Sequence, residues 1–204
     1  MIAAPAALER LREGNARFAA DVSRRVTSRR KRRELAAGQE PFAIVLGCSD
    51  SRVPAELVFD QGLGDLFVIR VAGNIVAPSQ IGSVEFAAER FRTRLVVVLG
   101  HSTCGAVVAT LEQLQRPSTE QSPGLRSIVD RIRPAVDGLL TTQQGSRDTL
   151  LREAVRANIR LAANQLRHGS EILEHLIEHD GLLVIGAEYS LDSGVVVFFD
   201  GIPS

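Results

Sequence analysis

The chain has 204 residues, 45% of them apolar, and its 24 basic residues balance its 24 acidic ones. That length suits one domain over 1–204 with a sizeable core. A net charge of zero gives no overall field directed at nucleic acid or a membrane surface. The absence of Trp and a single Tyr argue against a base-stacking surface, and no apolar run approaches the ~18 residues of a spanning helix.

The N-terminal stretch Met1–Ala7 runs straight into Leu8-Glu9-Arg10-Leu11-Arg12-Glu13, without the apolar core of a secretion signal. A cytoplasmic chain is therefore expected. Its two cysteines, Cys48 and Cys104, would then stay reduced, which favours metal binding or catalysis over a disulfide.

Residues 5–20 read as an amphipathic helix with Leu8, Leu11, Phe18 and Ala19 on one face, part of a helical N-terminal arm over 1–38. Such an arm has little of its own to pack on, so it belongs against another part of the fold or a partner subunit. Seven of the twelve residues Ser23–Glu34 are basic. No aromatics interleave with them, so a solvated helix is a better reading than a phosphate-binding patch.

Pro41 introduces a strand over 42–47, and Pro54 sits near the start of a short helix over 54–61. Gly62–Asp65 is a turn into a second strand, Leu66–Val71, followed by a loop at Ala72-Gly73-Asn74. A helix over 79–92 carries apolar Ile81, Val84, Phe86, Ala87, Ala88 and Phe91. The third strand is 95–99, and a helix starts at Gly105. Residues 116–124 read as a polar loop, 125–140 as a helix interrupted near Pro134, and Thr141–Ser146 as a second loop. Helices follow over 148–167 and 170–179, with Ser170 at the start of the latter. Leu182–Ala187 is a fourth strand. The short turn at Leu191–Gly194 joins it to Val195–Phe199, which must therefore run antiparallel. The expected architecture is α/β: a mostly parallel central sheet flanked by helices, with one antiparallel C-terminal strand.

Two stretches carry chemistry. Ala43-Ile44-Val45-Leu46-Gly47 ends in Cys48-Ser49-Asp50-Ser51-Arg52, and Leu95-Val96-Val97-Val98-Leu99-Gly100 ends in His101-Ser102-Thr103-Cys104-Gly105. Apolar runs rich in β-branched residues read as buried parallel strands, and ligands bind beyond the carboxyl ends of such strands. Cys48, His101 and Cys104 then supply the three ligands of a catalytic zinc site with one open position. Zn²⁺ with two thiolates is formally neutral and polarises water less than zinc on neutral imidazoles does. Asp50 is placed to accept a hydrogen bond from a zinc-bound hydroxide, and Arg52 to clamp Asp50. Two states follow: Asp50 on Arg52 with the metal open, or Asp50 as fourth metal ligand, the second favoured at low pH. His168, His175 and His179 are expected on exposed helix faces and Asp60 and Asp65 in turns; Arg70 is expected in a structural ion pair or, as the alternative, lining the site.

These pieces, together with Phe67-Val68-Ile69-Arg70, Ala72-Gly73-Asn74, Ser83–Ala87 and Gly186-Ala187-Glu188-Tyr189, closely resemble the β-class carbonic anhydrases. The resemblance implies reversible hydration of CO2 to bicarbonate and a proton. It implies zinc on Cys48, His101 and Cys104, with Asp50 and Arg52 as the catalytic dyad. It also implies substrate contacts from Gln39, the Gly105 amide, Phe67 and Phe86. It further implies a cleft at a subunit boundary of a homodimer or homotetramer, with N-terminal helices embracing the neighbour. Val45 stands where some bacterial members use a Trp to bind inhibitory bicarbonate, so that second site is not expected. Relatives on this fold that hydrolyse CS2 or COS are the alternative function.

Overall fold

The computed structural model describes residues 2–23, 28–116, 122–142 and 146–203. Its centre is a five-stranded sheet: β1 (Ala43–Gly47), β2 (Leu66–Arg70), β3 (Leu95–His101), β4 (Leu183–Tyr189) and β5 (Val196–Asp200). The strand order is β2-β1-β3-β4-β5; the first four are parallel, and β5 runs antiparallel to β4. All residues of β1 and β3 are buried, as their unbroken apolar sequences require of strands covered on both faces.

The two faces are packed differently. Ile44, Leu46, Val96 and Val98 point to one core, which also takes buried residues of α4 (Pro78–Arg90), α5 (Gly105–Gln115), α6 (Pro123–Thr142), α7 (Arg147–His168) and α8 (Glu171–His179). Ala43, Val45, Leu95, Val97 and Leu99 point to the other, closed by α1 (Ala4–Ala19) and α3 (Ala55–Val58). Val45 is thus a sealed core residue. Leaving β1, the chain first goes to β2 on one side and then to β3 on the other. The crevice beyond the carboxyl ends of β1 and β3 is therefore the topological switch point of the sheet.

The N-terminal arm lies on its own sheet. Ala7, Leu8 and Leu11 are buried in the second core, each leucine contributing about 2 kcal/mol of apolar burial. Asn15 adds a buried polar clamp. Its Nδ2 donates to the Val58 and Gly194 carbonyls at 3.1 and 2.8 Å, and its Oδ1 accepts from the Val196 N–H at 2.7 Å.

Several elements differ from the sequence reading. Helix α6 runs through Pro134 without a break, because Val129, Ile132 and Val136 bury the same face on both sides of it. It also continues to Thr142, into the expected second loop, and starts at Pro123, inside the expected first one; 117–121 and 143–145 lie outside the described residues. β3 reaches His101 rather than stopping at residue 99. The loop at Ala72–Asn74 is a 3₁₀ turn. Within the basic run, 24–27 lie outside the described residues. The rest forms α2 (Arg29–Leu35), which buries nothing and starts at Ser28, whose hydroxyl accepts from the Lys31 N–H. Asp60 is no mere turn residue: its buried carboxylate takes Arg17 Nε at 2.7 Å and the Ser23 hydroxyl. His168, His175 and His179 are exposed, as expected.

Replacing Asn15 strands two buried carbonyls and one N–H at the junction of α1, α3 and the turn before β5. Asn15→Ala is expected to destabilise the fold by about 2 kcal/mol in chemical denaturation. A loss under about 0.5 kcal/mol would show that the clamp is dispensable.

Candidate metal centre

The switch point holds the cluster. β1 ends at Gly47, immediately before Cys48, and β3 ends on His101 itself. Cys104, three residues on, is the residue before the first turn of α5. The ligand-type atoms of Cys48, His101 and Cys104 all lie within 4.8 Å of one another, and all three side chains are buried.

His101 is turned for metal binding. Its Nδ1 lies 2.9 Å from the Ser102 carbonyl, so Nδ1 carries the proton and donates, which leaves Nε2 with its lone pair. Nε2 is buried and has no hydrogen-bond partner. Among the described residues only one other buried side-chain nitrogen lacks a partner, Asn74 Nδ2. An acceptor nitrogen facing two sulfurs in a dry site suits a thiophilic divalent cation, and Cys₂His with one position left open is a zinc-type donor set.

The sulfurs are prepared for the same ion. Hydrogen bonding from Cys104 is the main influence that lowers the Cys48 thiol, and the Asp50 and Gly73 N–H groups add to it against the cost of burial. Cys104 is pushed up by Cys48 and by burial. The two sulfurs pull each other's affinity for a proton in opposite directions; a dication would take both as thiolates.

Asp50 stands beside the cluster and off it. Arg52 holds its carboxylate with two parallel bonds, Nε to Oδ1 at 2.9 Å and Nη2 to Oδ2 at 2.8 Å, and the Arg52 N–H adds a third at 3.0 Å. These bonds hold the Asp50 carboxyl well below the usual carboxylate range. Asp50 Oδ2 lies 3.9 Å from His101 Nε2. This is the open arrangement of the two expected, with Asp50 on Arg52 rather than a fourth member of the cluster.

Among the described residues no acidic side chain pairs with Arg70, which supports the loop instead. Its Nε donates to the Cys48 carbonyl at 3.0 Å and its Nη2 to the Asp50 carbonyl at 2.6 Å, which fixes the backbone that carries both side chains. The sequence reading gives Gly73 no contact with the cluster. Its N–H meets Cys48 Sγ at 3.4 Å from a left-handed backbone with φ 70°, where a Cβ would stand 2.8 Å from Ile132 and 3.0 Å from Ala106. The signal available in sequence was a Gly before Asn in a turn. What that turn touches was not available.

The expected substrate residues divide. Gly105 opens α5 directly after Cys104 and is exposed, with open space where a Cβ would be. Gln39 precedes β1, whereas Cys48 follows it, so the two sit at opposite ends of the strand. Phe67 lies opposite Ile44, three residues and about 10 Å before the end of β2. Phe86 lies on the outer face of α4. It is 54% exposed and forms an aromatic patch with Phe67 and Phe91, with ring centroids 5.8–6.2 Å apart.

A family model described as carbonic anhydrase matches residues 43–196. Carbonic anhydrase 2 of Mycobacterium tuberculosis is 40% identical over 200 residues, covering 97% of this chain and 93% of the relative. The carbonic anhydrase of Mycolicibacterium smegmatis is 39% identical over 192 residues, covering 94% and 91%. In structure the chain is similar to the β-carbonic anhydrase CafA of Aspergillus fumigatus, with a TM-score of 0.76 at 26% identity over 98% of this chain and 92% of that one.

The donor set predicts about one tightly held thiophilic divalent ion per chain. Elemental analysis of the purified protein checks this, with Cys104→Ser expected to lose most of that ion. A Cys104→Ser protein with full metal content would show that the ion sits elsewhere.

Proposed function

Because the chain belongs to the carbonic anhydrase family, in its β class, we propose that it hydrates CO2 reversibly to bicarbonate and a proton with zinc held by Cys48, His101 and Cys104. One observation carries this reading: three buried donors converge at the sheet's switch point beside an Arg-clamped aspartate. Bound zinc would supply Lewis acidity, lowering the pKa of a water toward neutrality so that its oxygen can attack the carbon of CO2.

The chain's own residues do the rest. Asp50, held ionised by Arg52, accepts a hydrogen bond from the attacking oxygen and aligns it. Arg52 keeps that carboxylate off the cluster. Its guanidinium is 57% exposed on the solvent side, so the clamp can open. In the closed arrangement Asp50 would be the fourth ligand. The Gly105 N–H, at the positive end of α5, is placed for a substrate oxygen that gains charge as the bond forms. Phe67 and Phe86 would wall a cleft for uncharged CO2.

The working unit in this proposal is at least a homodimer, and a homotetramer is compatible with it. Gln39 stands at the far end of β1 from its own cluster and could reach substrate only across a subunit boundary. The exposed Phe86 patch is the apolar surface such a boundary would cover. No described helix is long and apolar enough to cross a membrane. A cytoplasmic location, part of the same proposal, would keep Cys48 and Cys104 reduced, as a metal site requires.

Arg52→Ala is expected to keep its metal and lose roughly 10²-fold in CO2 hydration. Freed from Arg52, Asp50 returns toward a pKa of about 4 and stays ionised at neutral pH. The loss is therefore positional, and the rate should stay well below that of wild type at every pH. Full activity in Arg52→Ala would contradict this role. The composite cleft has its own test. Chains carrying Gln39→Ala mixed with chains carrying Cys104→Ser should be more active than the sum of the two alone, because each hybrid rebuilds one complete site. A strictly additive mixture would contradict the shared cleft.

A further inference from the structure

Two thiolates leave a bound dication formally neutral, so the charge each sulfur donates decides how strongly the ion polarises water. Hydrogen bonds from N–H groups to a ligating sulfur withdraw some of that charge. At Cys104 the Ala106 and Val107 N–H groups of α5 favour the charged sulfur, an effect that follows from the helix start itself. For Cys48, one donor is the Gly73 N–H. Nothing in the local sequence holds a glycine in place, since its backbone moves freely between conformations.

The restraint comes from α7. Asn158 lies on the buried stripe of that helix with Ala154, Val155, Ile159, Ala162, Ala163 and Leu166, and it is 2% exposed. A buried amide on an apolar helix face is unfavourable unless it is hydrogen-bonded. Its Nδ2 donates to the Gly73 carbonyl at 2.8 Å. The helix comes close enough because two facing strand residues lack side chains. A Cβ on Gly100 or Gly186 would stand 2.5 or 2.8 Å from Ile159. Ile159 fills that space, and the adjacent Asn158 reaches the turn. Gly73 is thus gripped at its carbonyl by Asn158 while its N–H faces Cys48 Sγ.

We propose that Asn158 is a positioning residue of the metal centre, which holds Gly73 so that its N–H stays on Cys48 Sγ and limits the charge that this sulfur gives the metal. The proposal rests on the metal-site reading above, and the experiment separates the two. Cobalt(II) is loaded into the full-length protein, and the sulfur-to-cobalt charge-transfer band is recorded for wild type, Asn158→Ala, Asn158→Asp and Leu166→Ala. Asn158→Asp keeps the shape of the side chain but removes the N–H donor. Leu166→Ala loosens the same helix without touching Gly73.

Both Asn158 variants are expected to move the band to longer wavelength, because a more electron-rich sulfur gives up its electron more easily. They should also lose CO2 hydration while retaining cobalt. Leu166→Ala should leave the band where it is. An unmoved band in both Asn158 variants would overturn the proposal, as would an equal shift in Leu166→Ala. A wild-type protein with no such band would overturn the metal reading itself. The wild-type protein offers a check that needs no variant: with NMR-active cadmium bound, the Gly73 amide proton should couple to the metal through Cys48 Sγ, and absence of that coupling would also contradict the proposal.

Discussion

Three metal-binding donor atoms are buried together at one point, and the surrounding structure answers to that constraint. An unpaired imidazole nitrogen costs about 1–3 kcal/mol to bury without compensation, and a sulfur that carries charge costs more. The fold supplies that compensation in layers. Arg70 ties down the backbone of the Cys48 loop, the Ser102 carbonyl sets the His101 tautomer, and the first turn of α5 presents N–H groups to Cys104. What remains uncompensated is His101 Nε2. A dication would satisfy it and neutralise both sulfurs at once.

The Asp50–Arg52 pair shows the opposite use of charge. It sits where water reaches it, so its contribution to stability is small. Its value lies in geometry: two parallel bonds aim a carboxylate at the place where a water molecule would be activated, and the same carboxylate is close enough to move onto the cluster if released. A deeply buried pair could not exchange in this way without leaving a charge stranded.

Much of this was legible in the sequence. Buried parallel strands have no polar face, so β1 and β3 read directly as continuous apolar runs, and their glycine ends located Cys48 and His101. The antiparallel final strand followed from a turn too short for a crossover. The misreadings have a common cause. Pro134 breaks a helix in isolation, but α6 is held by packing on both sides of it. Asp60 reads as a turn residue, but its buried carboxylate holds Arg17. The tertiary contacts of Gly73 and Asn158 were not visible either, since they depend on how closely α7 approaches the sheet. A polar residue on the apolar stripe of α7 was the available clue for Asn158. The proposed roles of Gln39 and the aromatic patch lie across a subunit boundary, which no single chain displays.

The central claim is tested most directly by stopped-flow CO2 hydration on protein of measured zinc content, from about pH 6.5 to about pH 9, before and after chelation and zinc return. The account predicts fast hydration that rises with pH, disappears with the metal and comes back with zinc. Zinc-loaded protein that hydrates no CO2 across that range would contradict it.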